Sequence, residues 1–172
     1  MVCRALGLGK VRCNNTHLMI KGDYVQAELF FAIPGDLESR TGGYAYDRRL
    51  LQEFAALGLR TTVVPLASYP YPDAEALADT ERRFAQLPDN SIVLVDGLAF
   101  GAIPESACKH GQRLQFIALC HHPLALETGL SPQQKETFIQ SESVALRCSQ
   151  AIVVTSPATA LTLQSLFAVE AA

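Results

Sequence analysis

Residues 27–51 read AELFFAIPGDLESRTGGYAYDRRLL, an apolar run to Ile33, a loop from Pro34 to Thr41, and a glycine pair, Gly42 and Gly43, opening a helical pattern. A short apolar run followed by apolar residues at three- and four-residue spacing predicts a strand that leads into a helix. Thr41-Gly42-Gly43 stands at the junction, where the first backbone N–H groups of a helix have no acceptor within it. With no Cβ on either glycine, an anion could approach those N–H groups and the positive end of the helix dipole. A tight strand-to-helix turn would use the same glycines. Both readings stay open on these residues alone.

The same alternation continues downstream. Strand one is expected over Glu28 to Ile33 and helix one over Gly43 to Leu57, where Leu50, Leu51, Phe54 and Leu57 share a face and Gly58 ends the pattern. Strand two is Thr61 to Leu66, and a turn-rich SYPYPD segment leads to helix two, Ala74 to Leu87, with Leu77, Phe84 and Leu87 able to share a face. Strand three, Ser91 to Val95, is continuously apolar, as in strands buried on both sides. After Asp96-Gly97 a short helix over Pro104 to His110 connects to strand four, Leu114 to Cys120, which runs into His121-His122-Pro123. Ser131, Pro132 and Gln134 form a helix-start signature with a capping box, and that helix is expected to reach Cys148. Strand five is Ala151 to Thr155; Ser156 reads as the cap of a last helix ending near Phe167. Parallel strands need crossover helices, so the expected fold class is α/β: a doubly wound, Rossmann-like, mainly parallel sheet of about five strands with helices on both faces.

The 172 residues suit one domain, here residues 26–172, preceded by an irregular extension over residues 1–25 that shows no sustained period. Apolar residues make up 49% and charged residues 18%, which argues for a compact chain and against disorder. A net charge of -3 without a basic cluster gives no footprint for nucleic acid, and no run of about 18 apolar residues is present to span a membrane. Cys3, Cys13, Cys108, Cys120 and Cys148 are odd in number and widely spaced, which reads as reduced thiols in a cytoplasmic protein, with Cys120 a buried structural cysteine. No Cys/His set suggests a metal site.

In a strand order of 3-2-1-4-5, strands one and four would be neighbours and ligands would bind beyond their carboxyl ends. The Gly42-Gly43 loop and His121-His122 then meet in one crevice, with Asp96 on the same rim but farther out. A dinucleotide site would need a compact G-x-G-x-x-G turn and an acidic residue ending strand two; neither is present.

Four ordered segments, TGGYAYDRRLLQEFAALG with its VVPL strand, IVLVDGLAFGAIP, ALCHHPLALETGLS and VVTSPATALTL, together resemble the N-terminal, acceptor-side half of a family 4 (group 1) glycosyltransferase of the GT-B fold. The likeness spans roughly Leu29 to Phe167. It implies transfer of a sugar from a nucleotide-sugar, a co-substrate rather than a cofactor, to a sugar or lipid-linked acceptor, with a retaining outcome. It places Gly42 and Gly43 where the glycine-rich loop approaches the donor diphosphate and the acceptor, and His121 where a side chain reaches the transferred sugar or the acceptor. Backbone N–H groups there would stabilise the charge of a departing nucleoside diphosphate. An imidazole at His121 could orient a hydroxyl, or the backbone beside it could stabilise positive character at the anomeric carbon. Thr41, Tyr44, Arg40 and Asp96 are further binding candidates; His122 is another, although a satisfied structural histidine is the simpler reading. Arg40 could pair with a phosphate, and Asp47 benefits from the helix dipole in the first turn.

The resemblance implies a second, donor-binding half with a pair of glutamates, for which the 172 residues hold no counterpart. The chain alone is therefore expected not to turn over a nucleotide-sugar. The alternative is a non-catalytic module of the same fold that binds a sugar or phosphate ligand or docks onto a separate donor-binding chain.

Overall fold

The computed structural model describes residues 2–4, 28–67 and 69–171. Along the chain come β1 (Val2–Arg4), β2 (Leu29–Pro34), α1 (Gly42–Ala56), β3 (Thr61–Leu66), α2 (Ala74–Gln86), β4 (Ile92–Asp96), α3 (Gly97–Phe100), α4 (Pro104–His110), β5 (Gln115–Cys120), a 3₁₀ turn (Leu124–Leu126), α5 (Pro132–Arg147), β6 (Ala151–Val154), α6 (Pro157–Phe167) and β7 (Glu170–Ala171). They form one sheet in the order β3-β2-β4-β5-β6-β1-β7. Strands β2 to β6 are all parallel, and β1 runs antiparallel to β6 and β7 at the far edge. The fold is the expected doubly wound α/β sheet with five parallel strands at its centre. Within the expected irregular extension, Val2–Arg4 is a strand; the rest of it lies outside the described residues.

The order of the five parallel strands corrects the expectation. Counted in chain order they lie 2-1-3-4-5, so β4, and not β5, is the neighbour of β2. A right-handed crossover fixes which face a helix covers once the direction of travel is set. Helix α1 carries the chain from β2 outward to β3, whereas α2 carries it back past β2 to β4. The two helices accordingly sit on opposite faces: Leu50, Leu51 and Phe54 of α1 pack on Phe31, Ile33, Leu94 and Leu119, while Phe84 of α2 joins the core of Val93, Val95 and Phe116. Helices α3, α4 and α5 keep α2's direction and its face, adding Phe100, Ala107 and Leu146. Strand β4 is thus covered on both sides, which is why its sequence is apolar without alternation.

Two packing details also depart from the sequence reading. On α2 the buried stripe is Ala76, Thr80 and Phe84, not Leu77, which stays exposed; Thr80 is tolerated there because its hydroxyl pairs with that of Tyr69 at 2.6 Å. Cys108 and Cys148 form a disulfide joining α4 to the end of α5, which corrects the expectation of reduced thiols. Cys120 is buried, as expected. The predicted starts of the last two long helices hold: Ser131 and Gln134 make a reciprocal capping box, and the Ser156 hydroxyl accepts from Thr159 N–H at 3.0 Å.

Candidate active site at the carboxyl ends of β2, β4 and β5

With β4 beside β2, the direction of winding reverses between these two strands, and the crevice of a doubly wound sheet opens beyond their carboxyl ends. The loop after β2 forms one wall. Gly35 takes a positive φ of 65° and its N–H donates to Leu66 O at 3.1 Å, turning the chain away from the sheet. Arg48, nearly two turns into α1, donates Nη1 to the carbonyls of Leu37 and Ser39 and so ties the loop to the helix it precedes. Thr41 caps α1, its Oγ1 accepting from Tyr44 N–H at 3.3 Å. That leaves the N–H groups of Gly42 and Gly43 without an acceptor among the described residues, at the positive end of a 15-residue helix.

His121 faces this helix start from the end of β5. A Cβ built on Gly43 would lie 3.7 Å from His121 Cδ2 and 4.0 Å from Nε2, whereas one on Gly42 would meet nothing within 4 Å. The two glycines are therefore not equivalent: Gly43 lets the imidazole pack against the helix, and Gly42 borders open space. Tyr46 stands edge-on to the imidazole with ring centroids 5.2 Å apart, and Thr159 Oγ1 of α6 donates to His121 O at 3.2 Å.

Two buried carboxylates complete the group. His121 Nε2 lies 3.2 Å from Asp47 Oδ1 and 3.6 Å from Asp96 Oδ2. Asp96 ends β4 and its other oxygen accepts from Leu98 N–H at 2.8 Å, capping α3. It stands in the middle of the cluster, not farther out along the rim as the expected strand order placed it. Asp47 is fully buried, and its Oδ2 has no hydrogen-bond partner among the described residues.

The charges explain the protonation pattern. Burial would pull the His121 pKa down, but its hydrogen bonds to Asp47 and Asp96 and the charges of both carboxylates outweigh this and lift it from 6.5 to about 9. Burial raises Asp47, opposed by its hydrogen bond to His121 and reinforced by the Asp96 charge. The two shifts have different causes, burial for Asp47 and the neighbouring carboxylates for His121, and the one that matters for chemistry is that of His121: an imidazolium at neutral pH. Tyr44 is raised by burial, then by the charges of Asp96, Asp47 and Asp36, so its phenol stays protonated. Donor atoms of Asp47, Asp96 and His121 all lie within 4.8 Å of one another, and His121 Nε2 approaches Asp47 Oδ1 more closely than it does Asp96.

The other sequence candidates fall into place around this cluster. Tyr44 turns inward, its hydroxyl under Gly35, where an added Cβ would come within 2.9 Å of it. Thr41 serves the helix as its cap. Arg40 is exposed and makes no hydrogen bond or ion pair among the described residues; the same holds for His122, which corrects its reading as a satisfied structural histidine. Asp47 had a legible signal that the dipole argument obscured. It precedes Leu50, Leu51 and Phe54 by three, four and seven residues, which puts a carboxylate on the apolar stripe of α1.

Glu142 supports the loop after β5. Fully buried on α5, its Oε2 accepts from Leu124 N–H at 3.0 Å, just past His121-His122-Pro123. A separate cavity of about 330 Å³ lies at the start of α2, lined by Ala67, Tyr71, Asp73, Ala76 and Asp79 among others. Two of its three carboxylates are spent on structure: Asp73 caps α2 and Asp79 pairs with Arg82 and Arg83. No family model matches this sequence, and no curated protein matches it. Among the described residues no helix is long and apolar enough to cross a membrane.

Proposed function

We propose that this chain supplies the acceptor-side half of a glycosyltransferase site, of the kind its four ordered segments resemble, moving a sugar from a nucleotide-sugar to a sugar or lipid-linked acceptor. The observation that carries the reading is the juxtaposition of Gly43 with His121 across the crevice, 3.7 Å from a Cβ position to an imidazole carbon. Free N–H groups at Gly42 and Gly43 and a charged imidazole then face the same space. Glycosyl transfer builds negative charge on the departing diphosphate, and preformed donors aimed at that charge lower its cost without reorganising. The same donors favour the hydroxyl oxygen of an acceptor as a hydrogen-bond partner. Tyr46, partly exposed beside His121, offers an aromatic edge to a sugar ring.

The reaction belongs to the cleft between this half and a donor-binding half, with His121 orienting the acceptor or the transferred sugar. An imidazolium cannot take a proton, so His121 acts as a donor and a fixed cation at neutral pH, not as a general base. Titration calorimetry of the chain against a nucleoside diphosphate, nucleotide-sugars and free sugar acceptors tests the reading. Binding of one of these classes, retained in Gly42→Ala and lost in Gly43→Leu, is the expected result. Binding unaffected by Gly43→Leu would remove the site from this crevice.

A further inference from the structure

Asp47 is hard to account for as a structural residue. A buried carboxylate costs several kcal/mol unless its partners repay it, and this one occupies a position where α1 otherwise presents Leu50, Leu51 and Phe54 to the sheet. It cannot cap the helix, because it is the sixth residue after Thr41 and the free N–H groups lie in the first turn. Among the described residues its Oδ2 accepts no hydrogen bond, Oδ1 pairs with Nε2 of His121, and the neighbouring Asp96 carboxyl only raises its cost. The position is explained by what it does to the imidazole.

We propose that Asp47 is the positioning residue of the cleft: with Asp96 it occupies Nε2 of His121 and leaves Nδ1 as the ring nitrogen that meets the substrate. The Cδ2–Nε2 edge of the ring lies toward α1, against Gly43. Nδ1, on the other edge, has no hydrogen-bond partner among the described residues, and the side chain is 20% exposed. The plane of the ring is further held by Tyr46, and its backbone by Thr159. Carboxylates accept only, so Nε2 carries its proton whether the ring is charged or neutral. The proton that comes and goes is therefore on Nδ1. While the ring is charged, Nδ1–H donates to an acceptor hydroxyl or a phosphate oxygen; once it is neutral, Nδ1 accepts. The titratable groups around the ring are Asp47 from α1, Asp96 from the end of β4, and the phenols of Tyr44 and Tyr46; burial and the nearby carboxylates raise Tyr44 and keep it neutral.

The assignment of Nδ1 to a substrate rests on the glycosyltransferase reading; the commitment of Nε2 does not, and the two are tested apart. Imidazole nitrogens of the full chain are followed by ¹⁵N NMR from pH 5 to 10 in the wild type, Asp47→Asn and Asp47→Leu, with circular dichroism as the check on folding. In the wild type His121 keeps its Nε2 proton throughout and loses the Nδ1 proton near pH 9. Both variants lower that midpoint by a pH unit or more, at least a tenfold loss of proton affinity, and leave the neutral ring as a mixture of tautomers. Asp47→Leu, apolar in an apolar stripe, keeps its thermal stability, which a structural role for Asp47 would not allow. An unchanged midpoint in both variants, or a neutral wild-type ring protonated on Nδ1, overturns the proposal. The expected titration together with no response of His121 to any nucleotide, nucleotide-sugar or sugar supports the positioning role and counts against the transferase reading.

Discussion

Replacing Glu142 by glutamine should make this protein more stable, and increasingly so as the pH rises. Burial lifts the Glu142 carboxyl from 4.5 to about 8, opposed by the backbone N–H groups of Leu124 and Ala125 and reinforced by the charge of Glu127. Between those two pH values the unfolded chain has released a proton that the folded chain still holds, so stability falls as pH rises: fully present below 4.5, declining above it, and wholly lost above about 8. At about 1.4 kcal/mol per pH unit the cost reaches roughly 3 kcal/mol at pH 7 and roughly 5 kcal/mol at pH 9. Glutamine has the same shape, keeps an oxygen for Leu124 N–H, and does not ionise. Urea unfolding of wild type and Glu142→Gln at pH 5, 7 and 9 gives the difference directly. The expected gap is under about 1 kcal/mol at pH 5 and widens by about 4 kcal/mol by pH 9. A gap of constant size would refute the reasoning, since Glu142 would then be ionised in the folded state and held by contacts the structure does not contain. Glu142→Ala, which frees Leu124 N–H and opens a void beneath the loop, should instead lose about 2–4 kcal/mol at pH 5.

Three other perturbations follow from distances. A Cβ on Gly97 would lie 2.9 Å from the Leu119 carbonyl and 3.3 Å from Cys120 Cα, both backbone atoms, so Gly97→Ala should push the end of β5 away from β4 and cost about 1–3 kcal/mol; chemical denaturation within 0.5 kcal/mol of wild type, roughly the noise of a surface change, would contradict it. Gly42→Ala has open space and should be neutral or stabilising by up to about 1 kcal/mol in thermal unfolding, because glycine is the poorer helix former; a clear loss would show a contact at Gly42 that the structure lacks. Reducing Cys108–Cys148, which closes a loop of 40 residues, should lower the unfolding free energy by up to about 4 kcal/mol, measured with and without reductant. No difference would mean the two thiols are not joined in solution.

Local signals carried far along this chain and then failed at a definite step. Runs such as Leu114 to Cys120 and the Ser131–Gln134 capping box place strands and helix starts because they depend on neighbours in sequence. Strand order depends on which face α2 takes on its way from β3 to β4, and neither flank of α2 announces it. Its apolar positions, read as Leu77, Phe84 and Leu87, allow packing on either side of the sheet. With the order wrong, Asp96 was placed away from His121, although both were recognised as residues at strand ends. Asp47 was missed for a different reason: a carboxylate near a helix start has a ready explanation in the dipole, and the apolar residues around it, which contradict that explanation, were read only as core. Its partner lies 74 residues away, and only the tertiary structure supplies it.

The central claim is that the crevice between β2 and β4 takes a phosphate- or sugar-bearing ligand through the start of α1 and His121. Amide and imidazole resonances of the isotope-labelled chain, followed while a nucleotide-sugar, its nucleoside diphosphate and free sugars are added in turn, test it most directly. The account predicts that at least one of these probes shifts Gly42, Gly43 and His121 together while the residues lining the α2 cavity stay still. Shifts confined to Tyr71 and Asp73 of that cavity, or none with any of the probes, would contradict it.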